Sequence, residues 1–142
     1  MPSDIDKLME FWDSGDEALA HELFHPDVVV RAVLQEVRGP TAYAAFVRSF
    51  NEGFDGLKPE LKEFFYDADG GKQTILWRAE GVHTREFRGI KPTGEHIVLG
   101  EYHIQHVTDG LITQSWTGPW GSLDLWNLIA RHGGKGDAGR MG

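Results

Sequence analysis

Apolar residues Ile5, Leu8, Met9 and Trp12 recur at i, i+3, i+4 and i+7, the spacing of one buried helix face, and Ser3 followed by Asp6 has the form of a capping box. This predicts a first helix ending near Ser14 and Gly15. A second, short helix is expected from Asp16 to about Leu23. Pro26, within Phe24-His25-Pro26-Asp27, should break the chain before the β-branched run VVVRAVL, which reads as a strand. Gly39-Pro40-Thr41 opens a third helix, with Pro40 early enough that its missing N–H does no harm, and Tyr43, Phe46, Val47 and Phe50 repeat the buried-face spacing.

From Pro59 onward the pattern is that of strands. LKEFFYD, KQTILWRAEGVHTREF, EHIVLGEYHIQHV and LITQSW are separated by Ala68-Asp69-Gly70-Gly71, by Arg88 to Gly94 and by Asp109-Gly110, turn chemistry that suits hairpins. The last three form an antiparallel meander in this reading. The stretch from Lys72 to Phe87 is too long to stay straight, and Gly81 is the expected place for a bulge or bend. A last helix, Ser122 to His132, follows Pro119, and the Gly-rich segment 133–142 reads as a flexible tail beyond a single domain of residues 1–132. The element order predicts an α+β fold: a cone-shaped, curved antiparallel sheet wrapped around N-terminal helices, plus a C-terminal helix. Such a cone has an open end for side chains or a ligand to fill.

Alternation predicts the lining. On the last two strands Tyr102, Ile104 and His106 share one face, joined by Gly100, Ile112, Gln114 and Trp116, against Glu101, His103, Gln105, Thr113 and Ser115 on the other. The first set has the larger apolar bulk and is placed toward the helices. On the preceding strand Ile75, Trp77, Ala79, Gly81 and His83 are placed inside, subject to register. The expected interior is aromatic, built from Trp12, Tyr43, Trp77, Tyr102 and Trp116 with Trp120 just beyond, and His83, His106 and Gln114 are its polar members.

Composition narrows the chemistry. The 142 residues fit one domain, and the sequence contains no cysteine, which excludes disulfides, a thiol nucleophile, iron–sulfur clusters and cysteine-ligated zinc. A formal charge of −8, with 14 scattered Lys and Arg residues, argues against nucleic acid and anionic membranes as partners. No apolar run is long enough to span a bilayer, and the opening MPSDIDKLMEFW reads as a helix instead of a signal peptide, so the expected address is cytoplasmic. His103 and His106 lie three apart on a strand, hence on opposite faces, and are not expected to share a metal ion. Arg78, Glu80 and Arg31 are read as outward-facing, and His21, His25, His96 and His132 as surface residues.

The stretch GVHTREFRGIKPTGE, with HVTDGLITQSW after it, resembles the SnoaL-like polyketide cyclases of the nuclear-transport-factor-2-like superfamily. The resemblance rests on Gly81, His83, Thr84, Phe87, Gly89, Ile90, Pro92, Thr93, Gly94, Asp109, Gly110, Ile112 and Trp116. It implies an α+β cone, a homo-oligomer (dimer or tetramer) formed through the outer sheet face, and cofactor-free acid–base chemistry on a small aromatic or polyketide-like carbon acid. It also implies a catalytic aspartate a few residues after the tryptophan. Here Thr117, Gly118, Pro119, Trp120 and Gly121 follow Trp116, and the next carboxylate is Asp124. The expectation is therefore a cyclase, dehydratase or isomerase with His83 as leading acid–base residue and His106 and Asp124 as candidate partners. Trp12, Tyr43, Trp77, Tyr102, Gln114, Trp116 and Trp120 would contact a hydrophobic or aromatic ligand. The alternative is a non-catalytic binding protein of the same fold.

Overall fold

The computed structural model describes residues 2–132; the Gly-rich segment 133–142 lies outside the described residues. Helix α1 (Ile5–Ser14) is capped by Asp4, which accepts from Lys7 N, while Ser3 is buried and bonded elsewhere. Gly15, at φ 66°, terminates it as a left-handed C-cap. Helix α2 (Glu17–Leu23) is capped by Asp16 and runs straight into strand β1 (Phe24–Arg31). Pro26 does not break this strand as expected. It falls where the β1 register is irregular, between Phe24 and Val29, so no ladder N–H is demanded of it. The strand also ends earlier than expected: Ala32–Gln35 form a turn into a short strand, β2 (Glu36–Arg38).

Helix α3 (Pro40–Gly53) begins with Pro40 in its first turn and is followed by β3 (Phe54–Asp55). Then come β4 (Glu60–Asp67), β5 (Lys72–His83), β6 (His96–Thr108), β7 (Leu111–Pro119) and α4 (Asp124–His132). The sheet order is β2-β1-β7-β6-β5-β3, with β4 also on β5. Every pairing is antiparallel except β1 with β7, which is parallel, so the sheet is mixed and not purely antiparallel. It is curved and unclosed. β5 is long enough to serve two neighbours on one side, β4 along Lys72–Arg78 and β3 at Val82–His83. Gly81 does not bulge: it pairs regularly with Ile97, and its lack of a side chain admits Asp55 O, which a Cβ would meet at 3.0 Å.

Helices α1 to α3 cover one face of the sheet. Aromatic residues interlock there, Phe11 of α1 and Tyr43 of α3 meeting each other and Phe24 of β1 at centroid separations of 5.2 to 5.4 Å. Helix α4 buries Leu125, Leu128 and Ile129 beside the start of β6 and is tied there by Arg131 to Glu95. Among the described residues, no helix is long and apolar enough to cross a membrane.

The chain after β7 is pinned at Gly100, whose carbonyl accepts from Trp120 N at 2.8 Å and whose absent Cβ would lie 1.9 Å from Trp120 O. Gly100→Ala is expected to cost about 1–3 kcal/mol through overpacking and loss of that bond, measured as a lowered urea midpoint. A midpoint equal to wild type would show that the β7–α4 segment is free to shift.

Candidate active site

Residues directly opposite one another in antiparallel strands share a face, so β5 dictates what β6 presents. The inner face of β5 carries Ile75, Trp77, Ala79, Gly81 and His83, as expected, together with Gln73. Opposite them stand His103, Glu101, Leu99, Ile97 and Gln105, and these are buried. The expected orientation of β6 is thus reversed: Tyr102, Ile104 and His106 lie on the outer face. On β7 a register shift between His106 and Val107 lets Ile112 and Ser115 both point inward, sending Gln114 and Trp116 out.

The inner polar residues tolerate burial because they satisfy one another. Gln73 Nε2 donates to Gln105 Oε1 at 2.7 Å and Ser3 Oγ at 2.8 Å, and Ser3 N donates back to Gln73 Oε1 at 3.1 Å. Beside this network, His103 Nε2 lies 3.0 Å from Trp77 Nε1 and 3.1 Å from Glu101 Oε1, while His103 Nδ1 lies 3.1 Å from Thr117 Oγ1. Trp12 packs on the imidazole at 4.3 Å and 31°, and Trp77 at 5.9 Å and 26°.

Glu101, Trp12, Tyr43 and Trp77 line a cleft completed by Phe46, Val47, Phe50, Asn51, Leu57, Pro59 and Leu99. The cleft encloses ≈ 40 Å³ within ≈ 420 Å³ of atom-free space that opens to solvent. Leu57 and Asn51 also border a second, open hollow with Asp13, Phe54, Asp55, Gly56, Lys58 and Arg85, so the Gly56–Pro59 segment forms the rim between them. The enclosed part is small beside the about 300–1,000 Å³ of pockets that hold ring-sized ligands.

Trp12 Nε1 donates to Tyr43 Oη at 3.0 Å. Burial pushes the Tyr43 hydroxyl well above its usual range, opposed by this donation and reinforced by the negative charge of Glu101. Tyr43 is therefore a neutral donor on the cleft wall.

The other expected residues stand elsewhere. His83 is fully buried on the inner face, but neither cavity reaches it: Nδ1 accepts from Thr93 N at 3.2 Å, and Phe54 packs on the ring at 5.2 Å. Asp124 Oδ2 accepts from Val98 N at 2.7 Å, fastening α4 to β6. On the outer face Trp116 lies under the Arg31 guanidinium at 4.7 Å and beside His106 at 5.0 Å, and Arg31 Nη1 donates to Gln114 Oε1 at 2.8 Å. Tyr102 lies across Gly118, where a Cβ would meet its ring at 2.3 Å. Trp120 is 40% exposed and does not line the cleft. Arg78 pairs with Glu80 on the outside, as expected. Glu101 and His103 escaped the sequence reading, although Glu-x-His-x-Gln at period two, opposite Trp77 and Gln73, carried the signal.

The family model for SnoaL-like polyketide cyclases matches residues 5–119. The chain belongs to the SnoaL-like polyketide cyclase family. Solved structures share the fold. One, from Jannaschia sp. CCS1 and assigned to the SnoaL-like cyclases, is 17% identical with TM-score 0.72, covering 92% of each chain. IdmH of Streptomyces antibioticus, assigned as a polyketide cyclase, is 21% identical with TM-score 0.70 over 89% of this chain and 95% of its own. TsrD of Streptomyces laurentii is 20% identical with TM-score 0.71, covering 88% and 90%. A search of the curated proteins finds no match.

The raised Tyr43 hydroxyl has a consequence for stability. The unfolded chain ionises this tyrosine near about pH 10 while the folded chain keeps it neutral, so its contribution is complete below about pH 10 and is lost as pH rises beyond it. The stability gap between wild type and Tyr43→Phe should accordingly shrink between about pH 8 and about pH 11. A gap that stays constant over that range, measured by urea titration, would contradict the assignment.

Proposed function

We propose that the chain catalyses cofactor-independent proton transfer on a small aromatic or polyketide-like carbonyl compound. Glu101 and His103 are the acid–base pair, and Tyr43 is the donor to the developing oxyanion. The observation that carries this reading is a buried carboxyl on the wall of an aromatic cleft, 3.1 Å from a buried imidazole, with a neutral tyrosine hydroxyl lining the same cleft. Titratable groups held in such a pocket are the usual mark of a reaction centre.

The chemistry follows from the groups present. A carboxylate at Glu101 removes a proton α to the substrate carbonyl: the C–H bond breaks and its electron pair passes into an enolate. The enolate oxygen accepts from Tyr43 Oη, whose own oxygen already takes the Trp12 N–H, leaving the hydroxyl proton free to point into the cleft. The enolate carbon then closes on a second carbonyl, as in an aldol cyclisation, or is reprotonated at another carbon, as in an isomerisation. Glu101 returns the proton in either case. The role expected of His83, His106 and Asp124 thus falls to residues on the inner face of β6. The aromatic lining by Trp12, Trp77, Phe46 and Phe50 suits a planar, conjugated substrate.

The same reading has two copies assemble through the outer sheet face. Phe65, Thr74, Ile104, Trp116 and Arg31 lie opposite one another across five successive strands, and Phe65 and Ile104 are 58% and 41% exposed. A two-fold axis near Ile104 sets the Phe65 end of one row on the Trp116–Arg31 end of the other, aromatic against aromatic and cation. Ile104→Lys is expected to shift the species seen by light scattering to a monomer; a wild-type monomer at micromolar concentration rules this assembly out.

Proton exchange gives the test of activity. With an enolisable aromatic ketone or β-dicarbonyl bound, wild type should incorporate solvent deuterium at the α-carbon. Glu101→Gln should slow this by about 10²–10⁴, and Tyr43→Phe by about 10²–10³. Exchange within about tenfold of wild type in Glu101→Gln, or a tightly bound ligand that never exchanges in wild type, sinks the proposal.

A further inference from the structure

We infer that Leu57 is a specificity-determining residue for this site: it closes the cleft on the side of the second hollow and restricts the occupant to a compact aromatic carbonyl compound. Leu57 can select in this way only if the cleft holds the substrate, so the inference rests on the function proposed above. Its ground is the path of the chain between β3 and β4, which pair with the same side of β5. Asp55 stands opposite Val82, and Glu60 opposite Arg78. Residues 56–59 therefore pass Ala79, Glu80 and Gly81 with one residue more than regular antiparallel pairing would place there. A surplus residue of this kind takes the strand off the ladder and re-aims a side chain. Gly56, at φ 79°, makes the turn in a backbone conformation that few side chains tolerate. Pro59, with no N–H to leave unpaired, brings the chain back to the start of β4.

The side chain re-aimed is that of Leu57. Along the inner face of β5 the side chains shrink from Trp77 through Ala79 to Gly81. Leu57 fills the room this leaves: a Cβ on Gly81 would meet Leu57 Cδ1 at 3.2 Å and Leu57 Cβ at 3.3 Å. Leu57 is buried, and it lines both the cleft and the hollow. Asn51 borders both as well, but its Nδ2 donates to Asp13 O at 2.7 Å, which fixes it against α1. An isobutyl group has no such bond to make and is held by packing alone.

Beyond Leu57 the surface changes character. The hollow carries Asp13, Asp55, Lys58 and Arg85, so its charges balance. Arg85 is already committed, pairing with Asp55 at 2.7 Å and donating to Glu52 O at 2.7 Å and to Asn51 O at 3.0 Å. An aromatic group reaching past Leu57 would strip water from these charges without offering them partners. Leu57 thus marks the end of the apolar lining. The room that a second fused ring would need is the room its own side chain occupies.

The test compares acetophenone with 2-acetonaphthone, which carry the same methyl ketone on one ring and on two. Their dissociation constants are read from quenching of tryptophan emission, since Trp12 and Trp77 wall the cleft. The readout is the ratio of the two constants, because a general loss of stability moves both alike. Leu57→Ala should shift the ratio toward the naphthyl ketone by about tenfold or more, and Leu57→Phe should shift it the other way. Leu57→Val, which keeps a branched side chain over Gly81, should act as Leu57→Ala does by a smaller factor, and with Leu57→Phe it decides the matter if Leu57→Ala does not fold. A smaller shift in a folded Leu57→Ala, a ratio unmoved in Leu57→Val and Leu57→Phe, or a wild type that binds neither ketone overturns the inference. A shifted ratio in a protein that exchanges no α-proton would defeat the proposed chemistry and leave the selection by Leu57 standing. Normal exchange with an unshifted ratio would do the reverse.

Discussion

The register between β5 and β6 governs everything that the interior can do. Trp77 stands opposite Glu101, Ile75 opposite His103 and Gln73 opposite Gln105, so one inner face on β5 commits three polar side chains on β6 to the core. A slip of one residue would exchange them for Tyr102, Ile104 and His106, and the cleft would lose its carboxyl. Register is held by the apolar pairs beyond the polar ones, Ala79 with Leu99 and Gly81 with Ile97. The cost of burying the polar set is offset by mutual hydrogen bonds from Ser3 through Gln73 to Gln105, and from Trp77 to His103.

That compensation explains which parts of the fold were legible in the sequence. Helices α1 and α3 announce themselves through an apolar stripe, and the strands through alternation and turn residues, because these signals are local. The inner face of β5 is equally local, since Ile75, Trp77 and Ala79 outweigh the residues between them. β6 misleads because both of its faces are mixed. Tyr102 and Ile104 offer more apolar bulk than Glu101 and Gln105, yet the polar set wins by finding partners on β5 and β7, up to 32 positions away, and Gln73 on β5 is itself satisfied by Ser3 near the N-terminus. Strands β2 and β3, three and two residues long, carry no alternation to read and owe their existence to neighbours. The parallel contact of β1 with β7 is likewise a tertiary fact that no hairpin signal could foretell.

The motif that carried the family resemblance and the lining of the aromatic cleft are largely different residues. His83, Phe87, Ile90 and Thr93 knit the β5–β6 connection: Gly94 N donates to His83 O, Thr93 N to His83 Nδ1, and Phe87 bridges Ile90. Their service is to fix the length and path of that connection, which in turn sets the β5–β6 register. Trp116 is also removed from the cleft, serving the outer face beneath Arg31. A fold signature can thus specify a site without contributing atoms to it.

The stretch after the tryptophan, where the resemblance placed a carboxylate, holds none before Asp124. β7 continues as a strand through Thr117 to Pro119, pairing as far as Glu101, and Trp120 then folds its backbone over Gly100. Side chains in that stretch either face β6, as Thr117 does toward His103, or turn to solvent, as Trp120 does. In the reaction proposed above, the Glu101 carboxyl on β6 would meet the same chemical requirement from the adjacent strand. It is fixed by regular pairing on both sides instead of by a loop, and it lies on the wall that Trp12 and Tyr43 face from the helices. Positioning an acid on the interior of a sheet confines it to one approach, so in the proposed reaction the direction from which a substrate carbon would present its proton is set by β6 itself.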